Sequence, residues 1–266
     1  MNPDALIDPL FQTPFLVGLI LAAVLPIVGV LLRLRNEWLA ALGLAHLSGA
    51  SALAGLAFGI PAVAGAPVGA VAGALLKTLG RFRGNSFYAV MILVGWSATL
   101  LLATNTILGS SMGHALIEGQ IYFAGTAQLL ATSLFLLSTI ALLPKLMPYL
   151  IRAEFFPALG HNTRHRFAWR WPLAFDLLAA LGMAVGTGTI GLMGAFALVF
   201  LPAWLAFRTA PSWRGTLIIA LVTGTLGYLM AFALALYFDQ PFGPVLVALL
   251  FILMALIEMA RHFRSM

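Results

Sequence analysis

The chain has 266 residues, of which 62% are hydrophobic and 8% charged, with a mean hydropathy of +1.04. Soluble domains carry about 25% charged residues, so a soluble globular fold is excluded and most of the length must lie in membrane spans. The net charge of +6 does not point to nucleic acid, because the fourteen Lys and Arg form no long run or stripe; they sit at the ends of apolar segments, where bases orient a membrane protein.

The N-terminus, MNPDALIDPLFQTP, has two acids and no base before the first apolar run. That is the wrong flank for a cleaved secretory signal, so the first span is expected to be retained. Nine hydrophobic segments follow, at about 14–32, 38–58, 61–76, 86–107, 121–144, 171–187, 190–207, 215–237 and 244–260. The third is short, and its regularity is open. With the N-terminus outside and strict alternation, every base falls inside, from Arg33 and Arg35 through Lys77, Lys145 and Arg208 to Arg261 and Arg264. Asp4, Asp8, Glu118 and Asp239 fall outside. A missed or extra span would place bases outside. The expected fold is an all-α polytopic membrane protein with about 8–9 transmembrane helices, N-terminus outside and C-terminus cytoplasmic, forming one transmembrane domain over 1–266.

Several stretches carry candidate chemistry. His46, in LGLAHLSGASALAG, lies deep within the second segment. Ionisable groups at that depth are costly and mark ion pathways, and a neutral imidazole is a good ligand for zinc and similar ions. A core histidine bonded to a backbone carbonyl or to Ser48 fits the sequence equally well. In the third segment Gly65, Gly69 and Gly73 recur every four residues, a stripe of small residues that lets two helices pack closely. In the loop 108–120, His114 and Glu118 stand at i, i+4, a spacing that would put two ligands on one helix face. The connection 146–170 mixes bases and aromatics, and its Phe155-Phe156 pair asks either for a partner surface or for the lipid interface.

The run from Pro172 to Phe207 has one formal charge, Asp176. As a single helix it would be roughly 54 Å long, against about 30 Å of bilayer core. It is therefore expected to break where Gly182, Gly186, Gly188 and Gly191 crowd its middle. Asp176 and Glu258 lie near the inner ends of their segments, where Arg170 and Arg261 are candidate partners. Gly186-x-Gly188-x-x-Gly191 matches the dinucleotide fingerprint, but that motif needs a soluble strand before it, so the match is spurious. Cysteine is absent, which removes disulfides, thiolate metal sites and thiol catalysis. No phosphate loop, zincin motif or nucleophile arrangement is present, so the chain is expected not to be an enzyme.

Over about 14–260 the sequence resembles the membrane permease subunits of ATP-binding-cassette importers for zinc and manganese. The most specific pieces are GTGTIGLMGAFALVFLPAWLAF (186–207) and TLGYLMAFALALYFDQPFGPVLVALLFIL (225–253). Asp239, Pro241 and Gly243 resemble the family's external turn before its last helix. RAEFFPALG (152–160) resembles the family's coupling helix, which implies that Glu154, Phe155, Phe156, Leu159 and Gly160 meet an ATPase. LAALGLAHLSGASALAGLAFGIP (39–61) resembles the family's second helix, whose motif sets an Asp four residues before a His. Here the His is His46, the Asp position holds Leu42, the preceding Ser is Ala45, and Leu-Pro-Gly reads Leu47-Ser48-Gly49. The resemblance thus carries a metal-pathway role onto His46, with Ser48 as a weak candidate for compensation.

What the resemblance implies is an importer of the cell membrane, inner or plasma, built on a homodimer of this chain. Two cytosolic ATPase subunits and an extracytoplasmic metal-binding protein would complete it. No tightly bound cofactor is expected; a divalent metal ion is the cargo, with zinc favoured by a histidine ligand and manganese or iron as the other candidates. The competing readings are an ion-gradient-driven transporter working through Asp176, Glu258 or His46, and a non-transporting membrane assembly protein.

Overall fold

A computed structural model describes residues 9–82, 84–106, 119, 121–155 and 169–265. The helices are α1 (Pro9–Leu34), α2 (Trp38–Ala57), α3 (Ala62–Leu79), α4 (Asn85–Asn105), α5 (Thr126–Phe155), α6 (Arg170–Ile190), α7 (Leu192–Thr209), α8 (Trp213–Phe238) and α9 (Phe242–Ser265). A short 3-10 turn, Ile121–Phe123, precedes α5. Among the described residues there is no strand, and nine helices are long and apolar enough to cross a membrane. In a bilayer every backbone donor and acceptor must be satisfied within the protein, and helices of this length do so.

Two predicted boundaries are corrected. The third segment is a continuous helix, α3, extending to Leu79; at 1.5 Å per residue it is roughly 27 Å long, close to the bilayer core. The fifth segment does not stop at 144. Instead α5 continues through Pro144 and Pro148 to Phe155. Neighbouring helices re-satisfy the backbone that a membrane proline frees. At roughly 45 Å, α5 is longer than the bilayer core and can carry its C-terminal turns beyond it.

The predicted break in 172–207 is present and falls at one residue. Gly191 has φ +84° and ψ 161°, ending α6 and starting α7. An L side chain rarely adopts that backbone, so glycine is needed there. Gly182, Gly186 and Gly188 lie inside α6. Gly182 faces Phe135 and Gly186 faces Ala195 of α7, while Gly188 has no neighbour where a Cβ would stand.

The inner helices are α1, α2 and α6. α2 is held between α3 and α4 and also touches α6, α6 packs on α3 and α5, and α1 packs on α5, α7 and α8. Packing follows membrane rules rather than soluble ones. α8 buries Ala220, Gly224, Gly227 and Ala231, with Tyr228 and Phe232, and exposes Ile218, Val222, Leu226 and Met230, so a stripe of small residues lets the helix lie close against its neighbours. The stripe Gly65, Gly69 and Gly73 does the same on α3: Gly65 and Gly69 lie against Ser51, and Gly73 against Leu47. Ser51 secures the seam, donating to the Ala66 carbonyl at 3.2 Å and accepting from the Gly69 N–H at 3.0 Å.

α1 and α7 lie in close contact at Gly29. A Cβ there would stand 2.8 Å from the Val199 carbonyl carbon, with the oxygen nearer still. Gly29→Val must push two backbones apart, and overpacking of this kind costs about 1–3 kcal/mol or more. The variant is expected to unfold at clearly lower temperature in detergent; an unchanged Tm would show that α1 and α7 are not held this tightly.

Candidate functional site

α2 places His46 in the middle of the bundle. The imidazole is 4% exposed and packs edge-on against Trp96 of α4, with ring centroids 5.6 Å apart at 88°. Gly95 makes this possible, since a Cβ there would stand 2.8 Å from the Cβ of His46. His46 Nδ1 is buried without a hydrogen-bond partner, and so is Ser48 Oγ. The alternative in which His46 is a core residue bonded to a carbonyl or to Ser48 therefore lacks its bond at Nδ1. An unpaired buried polar atom costs free energy and asks for an explanation, such as a passing ligand. Leu42, one turn earlier, is half-buried in the core and supplies no carboxylate. Among the described residues no three His, Asp or Glu side chains come together as a metal site. His114 and Glu118 lie outside the described residues.

The densest polar arrangement is at the ends of the helices where the bases gather. The chain leaves α1 through a tight turn in which Asn36 has φ +54°, and this sends both Arg35 and Glu37 back toward α3 and α6. Arg35 Nη1 donates to Asp176 Oδ1 at 3.0 Å, and Arg35 Nη2 meets Glu37 Oε2 at 2.7 Å. Lys77 Nζ donates to Asp176 Oδ1 at 2.6 Å and to Glu37 Oε2 at 2.9 Å. Thr78 Oγ1 donates to Asp176 Oδ2 at 2.7 Å. Each cation thus touches both anions in a closed, charge-balanced ring, with side chains only 3–12% exposed. The partners of Asp176 come from the α1–α2 turn and α3, far from it in sequence. Arg35, Glu37, Lys77 and Thr78 escaped the sequence reading. The available signal was topological: two acids and two bases assigned to one membrane face, one of the acids within an apolar run.

Beside the ring, α5 ends in Glu154 and Phe155, which wall an open cleft of about 560 Å³ with Arg33, Leu34, Asn36, Trp38 and Phe207. Phe155 is 60% exposed. Arg33 lies over the Phe207 ring, its guanidinium carbon 5.6 Å from the centroid. Phe156, Leu159 and Gly160 lie outside the described residues. Glu258 pairs with Arg261, as its i, i+3 spacing suggested, and also with Arg208 of α7. At the opposite end, Asp239 closes α8 in the left-handed conformation, and the Gln240 N–H donates to the Ala235 carbonyl at 2.9 Å. Pro241 leads into α9, whose Gly243 faces Gly194 of α7. The short turn expected here is formed. Nearby, burial and the charge of Asp239 push the Tyr122 hydroxyl up to about 12, so it stays protonated at neutral pH.

Comparison with known proteins gives a consistent picture. The family model described as the ABC 3 transport family matches residues 8–262. No curated protein sequence matches. The fold is similar to PsaBC from Streptococcus pneumoniae, solved in complex with a Fab, with a TM-score of 0.80 and 15% identity over 95% of this chain and 92% of that one. It is also similar to a structure described as "An inward-facing conformation of a putative metal-chelate type ABC transporter", with a TM-score of 0.71 and 14% identity over 96% and 89% of the two chains. With a family match running almost from end to end of this helical bundle, the chain belongs to the ABC 3 transport family, the permeases of metal ATP-binding-cassette importers that its sequence resembles.

Proposed function

We propose that the chain forms the translocation path of an ATP-driven importer of divalent metal ions, with zinc as the first candidate. The observation that carries this reading is the family match over residues 8–262. The solved structures of like fold include one named as a metal-chelate type transporter. Two copies of the chain span the cell membrane with their N-termini outside. Cytosolic ATPase subunits dock at the end of α5, around Glu154 and Phe155 and the coupling segment that follows. An extracytoplasmic metal-binding protein delivers the ion.

The division of labour follows from the ligand chemistry. A conduction path must bind an ion well enough to admit it and weakly enough to release it. One imidazole without the carboxylate one turn away is a weak site, and histidine nitrogen suits zinc better than manganese, which prefers oxygen. Selection then rests with the binding protein and passage with this chain.

The test is uptake of radioactive zinc, manganese or iron by proteoliposomes containing the chain and its ATPase, with binding protein supplied. ATP-dependent zinc uptake is expected. His46→Ala is expected to lower the rate about tenfold, the effect of losing about 1.4 kcal/mol of ligand binding at the limiting step. Uptake unchanged by His46→Ala would remove the residue from the path. No ATP-driven uptake of any of the three metals would remove the importer reading.

A further inference from the structure

The ring of Arg35, Glu37, Lys77 and Asp176 joins three parts of the molecule that transport must move together. Asp176 belongs to α6, which begins at Arg170 directly after the segment between α5 and α6. Lys77 and Thr78 belong to the last turn of α3. Glu37 starts α2, and His46 follows nine residues later, roughly 14 Å along the same rod. α2 and α3 are locked to each other along the Gly65–Gly69–Gly73 seam. A direct polar link from α3 and the α1–α2 turn to α6 runs through the Asp176 carboxylate, which accepts from Arg35, Lys77 and Thr78.

We infer that Asp176 is a positioning residue for transport, fixing α6 to α2 and α3 so that movement at the start of α6 is delivered to His46. A buried, charge-balanced ring has no cheap half-open state, because drawing out any one charge leaves its partners uncompensated in a poorly polarisable interior. Elements tied in this way move together or separate completely, and that discreteness lets a small displacement pass along a packed structure undiminished. The ring shares an open side with a cavity of about 230 Å³ lined by Arg81, Phe82, Trp169 and Pro172. That places it at the end of the bundle where α6 meets the connection from α5. This role rests on the ATP-coupled reading given above.

The test replaces the α3–α6 link by apolar side chains of similar size, Lys77→Met with Asp176→Leu, which leaves Arg35 and Glu37 paired at 2.7 Å. Reconstituted with ATPase and binding protein, the double variant is read by two rates, ATP hydrolysis and metal uptake. Continued hydrolysis with at least a tenfold fall in metal carried per ATP is the expected result. If the ring serves stability alone, both rates fall in proportion or neither falls, their ratio stays at the wild-type value, and the assignment is overturned while the importer reading stands. If the wild-type assembly itself carries no metal, the importer reading fails and takes this role with it.

Discussion

Asp176→Ala is expected to cost about 3–5 kcal/mol of stability, the usual penalty for removing one partner from a buried ion pair. The alanine leaves Arg35 and Lys77 facing Glu37 alone, two cations to one anion, with all three side chains at most 12% exposed. Thr78 Oγ1 loses its acceptor as well. At about 2–4 °C per kcal/mol for a chain of this length, the detergent-purified variant should unfold on the order of 10 °C below the wild type. The pair Lys77→Met with Asp176→Leu should be far milder. Removing both charges of a buried pair in favour of packed apolar groups is often neutral or stabilising. Thermal unfolding of the two variants side by side checks the geometry. Equal, small losses would mean that the ring is open to water in solution, where exposed pairs contribute at most about 1 kcal/mol.

Much of the architecture was legible in the sequence because a bilayer leaves few choices. Apolar runs of sufficient length must be helices, and among the described residues the nine expected segments correspond to nine helices, with the largest change at the end of the fifth. The errors have specific causes. Hydropathy falls at Lys145, where the apolar run ends, whereas α5 keeps its course through Pro144 and Pro148 to Phe155. The break in 172–207 was expected among four glycines, but local composition cannot say which of them takes a positive φ; only Gly191 does. Gly65, Gly69 and Gly73 were readable as a packing stripe because their spacing alone specifies one helix face.

The site was harder to read. His46 stood out because an ionisable side chain in mid-span is rare, but its unpaired Nδ1 and its contact with Trp96 depend on how α4 lies across α2. The ring around Asp176 was missed for a related reason. Arg35 and Asp176 are 141 residues apart, and Lys77 and Asp176 are 99 apart. Pairings over such distances follow from tertiary packing, which proximity in sequence does not reveal. Asn36 in the left-handed conformation adds the last ingredient, since it turns Arg35 and Glu37 toward the same centre.

Phe155→Asp is expected to abolish ATP-driven uptake while leaving the permease folded. The side chain stands at the last turn of α5, 60% exposed, in the wall of the cleft with Arg33, Trp38 and Phe207. Because it is largely outside the core, its loss creates no cavity, and a substitution at such a position usually changes stability by no more than about 0.5 kcal/mol. An interface is a different matter. Aromatic anchors at a docking surface commonly carry 2 kcal/mol or more each, and an aspartate would bury an unpaired charge beside Glu154 if a partner closed over it. A loss of about 4 kcal/mol in docking would weaken assembly nearly a thousandfold. Two measurements separate the possibilities: the unfolding temperature of the variant alone, and its retention of the ATPase through size-exclusion chromatography. A wild-type Tm with the ATPase released is the expected combination. A wild-type Tm with the ATPase retained and metal taken up normally would place the docking surface elsewhere, on the residues that follow α5 rather than at its end.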